Sequence, residues 1–397
     1  MYRGVEVNGN GTHGIPAHEP ADIAPRLAKA RRTLNSGAAE DAAALFAALR
    51  GEAARLGLVP ERAAALVGLG DCALESGDLA EARDHFAEAE LLLADEPLPC
   101  RVPALRGRAT AHLLAGELRY CCYLLESALD ELNASEARDP GALLLLYTAA
   151  IAPYMDMGAH ARAARAAELA LGLAAQVDDP VLVASTHRGV ARTLVAEGRF
   201  AEADASLTKA QELCSRLRIR TELAHCHWMR GYVHAQDGNL AAAERELRTA
   251  REMLASKKAP LFRVQVEVEL ADVLRRRGRA DEAAALLAPL LAPSALGAER
   301  GAVHAGGAHR LLGLMAEDRG ETDTAEEHYC AALSLLERTG AAGDLADLCR
   351  LLGDLLRRTG RTDAALNAYR TGLGHRAAPG TTTLGPAPPL PLRRLVG

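Results

Sequence analysis

Nine glycines stand at near-equal intervals along the chain: Gly37, Gly77, Gly116, Gly158, Gly198, Gly238, Gly278, Gly320 and Gly360, separated by 39 to 42 residues. A period of that size marks a stacked repeat array. No unit of such an array buries its own apolar face, so stability comes from neighbours and function from the long surface that the stack presents. The ladder therefore constrains architecture strongly and partner weakly.

With each glycine set at position 15 of a unit, the flanking residues align without gaps. Position 8 carries Ala30, Gly70, Ala109, Ile151, Ala191, Gly231, Ala271, Gly313 and Gly353, small in all units but the fourth. Position 20 is small throughout, from Ala42 and Ala82 to Ala325 and Ala365. Position 24 is large in every unit (Phe46, Phe86, Leu125, Leu207, Leu247, Leu287, Tyr329, Tyr369) except for Ala167. Small residues at 8 and 20 suit close helix crossings, and the large residue at 24 fills the gap beside them.

The local chemistry fits two antiparallel helices per unit. Each glycine ends the first helix in a left-handed conformation that residues with a Cβ adopt only at a cost. In Gly77-Asp78-Leu79-Ala80-Glu81, Asp78 is placed to cap the second helix and Glu81 to reach back, a variant of the capping box. About eighteen helices in nine pairs follow.

The sets Gly70, Gly77, Ala82, Phe86, Ala89 and Gly231, Gly238, Ala243, Leu247, Ala250 and Gly313, Gly320, Ala325, Tyr329, Ala332 resemble the tetratricopeptide repeat. The likeness spans about residues 23–373. Its units are about six residues longer than the usual 34, and the family's aromatic at position 4 is mostly lost. The resemblance implies an all-α, right-handed superhelical solenoid whose first helices line a concave groove.

Composition sets limits. The net charge of −6 argues against direct nucleic-acid binding, which needs a basic footprint. Eight cysteines show no metal spacing and read as small buried residues of a reducing cytoplasm. No signal-peptide pattern opens the chain. The most apolar run, Ala142 to Met155, is too short to cross a membrane and reads as the first helix of unit four, bent near Pro153. Residues 1–22 and the Pro/Gly-rich tail 374–397 lack a periodic apolar face and are expected to lie outside the array as disordered segments. No polar capping helix follows unit nine, which leaves its outer face for the tail, a second subunit or a partner.

Several motifs invite chemistry and decline it. Gly9-Asn10-Gly11-Thr12-His13-Gly14 has dinucleotide-fingerprint spacing, but Ile15-Pro16 follows where a helix should open. Pro388-Pro389-Leu390-Pro391-Leu392-Arg393 matches a proline-motif ligand, against the plainer reading of a disordered tail. On a helix His225 and His227 point about 200° apart, and His227 and His234 lie about 10.5 Å apart along the axis, so they cannot share a metal. These histidines, with His187 and His309, read as satisfied, half-buried groups. No cofactor is implied.

The stripe of positions 2, 5, 9 and 12 on each first helix is the one that the resemblance assigns to the groove. It contains Arg106 and Thr110 in unit three, Ser185, Arg188 and Arg192 in unit five, and His225, Trp228 and Tyr232 in unit six. Unit four adds Leu145, Thr148 and Met155. Arginines beside the only tryptophan suit an extended peptide with acidic or carboxylate groups; the alternative is that they only solvate a helix face. The reading is a non-catalytic, cytoplasmic peptide- or protein-binding scaffold. Two other classes stand beside it, the sensor part of a signalling or transcriptional regulator and an enzyme built on the repeat scaffold.

Overall fold

The computed structural model describes residues 23–135, 139–256, 260–291 and 301–375. The segments 1–22 and 376–397, with the Gly9–Gly14 string and the Pro388–Arg393 motif, lie outside the described residues. Among the described residues there are eighteen α-helices and no strand. They run α1 Ile23–Asn35, α2 Ala39–Leu56, α3 Val59–Ser76, α4 Leu79–Leu92, α5 Leu98–Leu114 and α6 Leu118–Ala134. The middle three repeats are α7 Pro140–Asp156, α8 His160–Ala174, α9 Pro180–Ala196, α10 Phe200–Leu217, α11 Arg220–Gln236 and α12 Leu240–Ser256. The last three are α13 Pro260–Arg276, α14 Ala280–Leu287, α15 Ala302–Asp318, α16 Thr322–Leu336, α17 Ala342–Arg358 and α18 Thr362–Gly374.

All nine ladder glycines sit between the two helices of a pair, with φ from +73° to +94°. Nine antiparallel pairs follow in order. A second set of left-handed residues, Gly57, Gly340 and Arg218, turns the chain between repeats, and Gly301 opens α15 in the same conformation. Asp78 caps α4 as expected, accepting from the Glu81 amide at 3.1 Å, and Asp139, Asp179 and Asn239 cap α7, α9 and α12 in the same way. Pro289 lies just past the end of α14, in a short 3-10 turn, Ala288–Leu291.

The small-large complementarity is physical. A Cβ on Gly70 would meet the Phe86 ring at 2.6 Å, and one on Gly313 or Gly353 would meet Tyr329 or Tyr369 at 2.4 Å. The wedge also reaches the next repeat, since a Cβ on Gly107 would lie 2.2 Å from Phe86. Repeat four inverts the arrangement: Ile151 is large where its counterparts are small, Ala167 is small where they are large, and both are buried in one cluster. The volume is conserved by the swap. Pro153 is accommodated inside α7, which continues to Asp156.

First and second helices have different surroundings. Successive first helices pack on each other along the stack, whereas second helices splay outward. So α3 buries Ala65, Leu66, Val67 and Leu69 around most of its circumference, while α4 buries one stripe of Ala82, Phe86 and Ala89. The cysteine expectation needs correction: six are buried, but Cys100 and Cys330 lie on outward helix faces and are exposed.

The solenoid coils tightly enough to touch itself. The Thr221 hydroxyl at the start of α11 donates to the Leu34 and Asn35 carbonyls at the end of α1, at 3.1 and 3.2 Å. Leu261 of α13 packs into the core of repeat two, against the turn at Gly77. The Gly301 amide donates to the Leu114 carbonyl at 3.1 Å, and the Leu118 amide to the Thr339 carbonyl at 3.2 Å. Repeats one to three thus rest on repeats six to nine.

Candidate ligand-binding groove

The first helices α1, α3, α5 and onward pack on one another along the stack, which sets positions 5 and 9 of successive repeats side by side. What they present is chiefly a series of ion pairs bridging one repeat to the next. Asp71 of α3 is held between Arg31 of α1 and Arg106 of α5. Arg192 of α9 pairs with Asp156 of α7, and Arg188 donates through Nε to Glu222 of α11 at 2.8 Å. Arg310 of α15 reaches Asp347 of α17 at 2.6 Å, where Arg350 joins it at 2.6 Å.

These pairs change the character of the stripe read from sequence. Arg106, Arg188 and Arg192 lie on first helices α5 and α9, and each guanidinium already has a carboxylate from the adjacent repeat. Thr110 turns its hydroxyl back to the Arg106 carbonyl at 2.9 Å, and Thr148 meets Thr186 at 2.8 Å. Ser185 accepts from Arg188 at 3.1 Å. Burial alone would raise the Glu222 carboxyl, yet Arg188 and His225 beside it overcome this and hold it at about 2. The pair is therefore charged at neutral pH.

Repeat six supplies the aromatic part. His225 is buried, 3.7 Å from Glu222, with its ring edge-on to Phe262 of α13 at 5.0 Å between centroids. Trp228 is half-buried and packs on the core of repeats six to eight. Tyr232, one helical turn on, is buried, and that burial pushes its phenol up to about 12. The histidines off this stripe are satisfied as expected: His227 Nδ1 lies 2.7 Å from Glu246, His187 Nδ1 2.8 Å from Ser206 Oγ, and His309 Nδ1 3.1 Å from that of His328.

Sequence reasoning missed the acidic members of the wall. Asp156 sits at position 13 of its repeat, Glu222 two residues before position 1 and Glu269 at position 6, all off the stripe that was read. Glu269 of α13 has no arginine opposite it: its Oε2 and the Trp228 indole Nε1 are both sealed from solvent without a hydrogen-bond partner. Burial pushes this carboxyl up to about 8, although the neighbouring Trp228 N–H and Arg192 draw it down. A cavity of about 10 Å³, enough for one water, lies between Glu269, Asp272, Val273, Tyr232 and Gln236. Asp272 beside it is paired with Arg275 at 3.0 Å and Arg276 at 3.8 Å.

Among the described residues no group of three or more His, Cys, Asp or Glu is placed to hold a metal ion. No helix among them is long and apolar enough to cross a membrane.

No protein-family model and no curated protein matches this sequence. Solved structures match its fold. A Rap protein complexed with competence and sporulation factor superposes with a TM-score of 0.63 at 14% identity, over 90% of this chain and 98% of that one. NprR in complex with its cognate peptide NprX gives 0.59 at 13% identity, over 90% and 100%. The apo form of the quorum sensor NprR from B. thuringiensis gives 0.52 at 14% identity, over 89% and 99%. The fold is a tetratricopeptide-type solenoid. At these identities the likeness speaks for architecture alone.

Proposed function

We propose that this chain is a non-catalytic, peptide-binding regulatory solenoid that takes an extended segment into the groove lined by its first helices. The observation that carries the reading is the break at repeat six. A wall cross-linked by ion pairs at five other junctions there offers a half-buried tryptophan, a tyrosine and a carboxylate with no arginine partner. Two fold neighbours are described with a bound factor or cognate peptide, and one as a quorum sensor, which supports a peptide ligand and a role in signalling.

Trp228 is the only tryptophan in the chain, so the groove contains its own reporter. Titrating peptide pools of six to eight residues is expected to shift Trp228 emission saturably and to raise the melting temperature, since a ligand that binds only the native state stabilises it. Pools that leave both unchanged across compositions would refute groove binding. The earlier expectation of an acidic ligand finds no free arginine among Arg106, Arg188 and Arg192 to receive it.

A further inference from the structure

The geometry points to a cation-reading subsite at Glu269, Trp228 and Tyr232, which takes the ammonium or guanidinium of a lysine or arginine side chain from a bound peptide. The proposal rests on the peptide-binding reading and reverses the charge expected of the ligand. Its basis is a contrast along the wall. Between repeats one and two, two and three, four and five, five and six, and eight and nine, each inward carboxylate meets an arginine. Between repeats six and seven Glu269 meets an indole instead. No arginine reaches Glu269; the Trp228 N–H beside it draws the carboxyl down, yet neither Oε2 nor Nε1 reaches good hydrogen-bond geometry.

A buried carboxylate atom without a donor costs folding free energy. Such a cost persists in functional sites, where a ligand supplies the missing group. A carboxylate beside aromatic faces is the recognition set for a cation: the charge is met by a charge-assisted hydrogen bond and the flanks by ring quadrupoles. The Glu269 side chain as a whole keeps part of its surface open. The adjoining cavity of about 10 Å³ has room for a water and no more, so the cation reaches Glu269 from the groove side.

The groups facing Glu269 are few. Arg192 of α9 is neutralised by Asp156 of α7, Asp272 of α13 by Arg275 and Arg276, and Tyr232 of α11 stays neutral because burial holds it near 12. His304 of α15 faces Asp156 and Arg192 and is pushed down to about 4 by its burial. Between pH 6 and 8.5 the titrating member of this set is Glu269, whose carboxyl sits near 8 in the empty groove. A bound cation favours its ionised form, so binding releases a proton and strengthens as pH rises.

The test uses the full chain and N-acetylated, C-amidated hexapeptide pools in which each position in turn is fixed as Lys, Arg, Leu or Glu. Binding is read by fluorescence polarisation. At one position the Lys and Arg pools are expected to bind about tenfold tighter than the Glu pool, more so at pH 8.5 than at pH 6. Glu269→Gln is expected to shrink that preference to about twofold or less, to flatten its pH dependence, and to leave the melting temperature unchanged or higher. Pools that bind without a cation preference, or a preference that survives Glu269→Gln, would overturn the subsite while leaving peptide binding intact. A melting temperature lowered by Glu269→Gln would assign the carboxylate a structural role and overturn it too. Failure of every pool to bind would remove the peptide reading, and the subsite with it.

Discussion

The first helices of repeats one to three and those of repeats six and seven do opposite things with charge. In the first, Asp71 bridges Arg31 and Arg106, so three repeats are stapled through one carboxylate. In the second, Glu269 has no arginine and only the Trp228 N–H beside it, short of good hydrogen-bond geometry. The difference teaches that charge in a repeat groove cannot be read residue by residue. An arginine in the stripe is free for a ligand only if the neighbouring repeat supplies no carboxylate, and here the neighbour usually does.

The contrast can be broken most forcefully on the stapled side. Glu222→Ala removes the buried carboxylate that Arg188 pairs with across repeats five and six and is expected to cost about 3 kcal/mol, read as a large drop in melting temperature. Asp71→Ala should cost less, about 2 kcal/mol, because Arg31 and Arg106 remain partly solvated. A loss below about 0.5 kcal/mol in both would show that the pairs do not hold the repeats together. Gly238→Val serves as a gauge from the rim of the wall: the added Cβ meets nothing within 4 Å, so only the φ of +83° penalises it, at about 1 kcal/mol. On the unpaired side the sign reverses, and Glu269→Gln is expected to raise the melting temperature at pH 8 by about 2 °C.

The two carboxylates also predict opposite acid-base behaviour. Glu222 is held at about 2 in the folded chain against 4.5 for a free glutamate. Its contribution is full above pH 4.5 and is lost as pH falls toward 2. Glu269 is raised to about 8 from the same reference, so folding favours its protonated form; that contribution is full below pH 4.5 and is lost as pH rises toward 8. Comparing each Gln variant with the parent across pH 3 to 9 by chemical denaturation checks both slopes, and slopes of one sign would erase the distinction between the walls.

Much of the fold was legible because its determinants are local. A turn that needs positive φ selects glycine wherever it recurs, and the wedge at Phe86, Leu247 or Tyr329 needs Gly70, Gly231 or Gly313 opposite it within a single helix pair. Even the exception was visible as two exceptions, Ile151 and Ala167, which the structure resolves into one exchange of volume. The groove was legible only by halves. A 100° stripe identifies Arg106, Arg188, Arg192, Trp228 and Tyr232 as inward, but pairing Arg192 with Asp156, 36 residues earlier, depends on how each repeat is offset from the last. A search for acidic residues 34 to 40 positions from each inward arginine would have found Asp71, Asp156 and Glu222. Nothing in the period announces that Thr221 will meet Leu34.

That last contact alters how the molecule must come apart. Stacked repeats ordinarily behave as a nearly one-dimensional system in which each unit answers only to its neighbours, and ends fray independently. Bonds between residues 187 positions apart in the chain tie repeat one to repeat six, so that distant repeats share one cooperative unit. The contact order rises, folding slows, because distant segments must meet before the stack is complete, and loss of the C-terminal repeats is felt at the N-terminus. Stepwise truncation should then produce an abrupt fall in stability once repeats six to nine can no longer brace repeats one to three, instead of equal decrements per repeat.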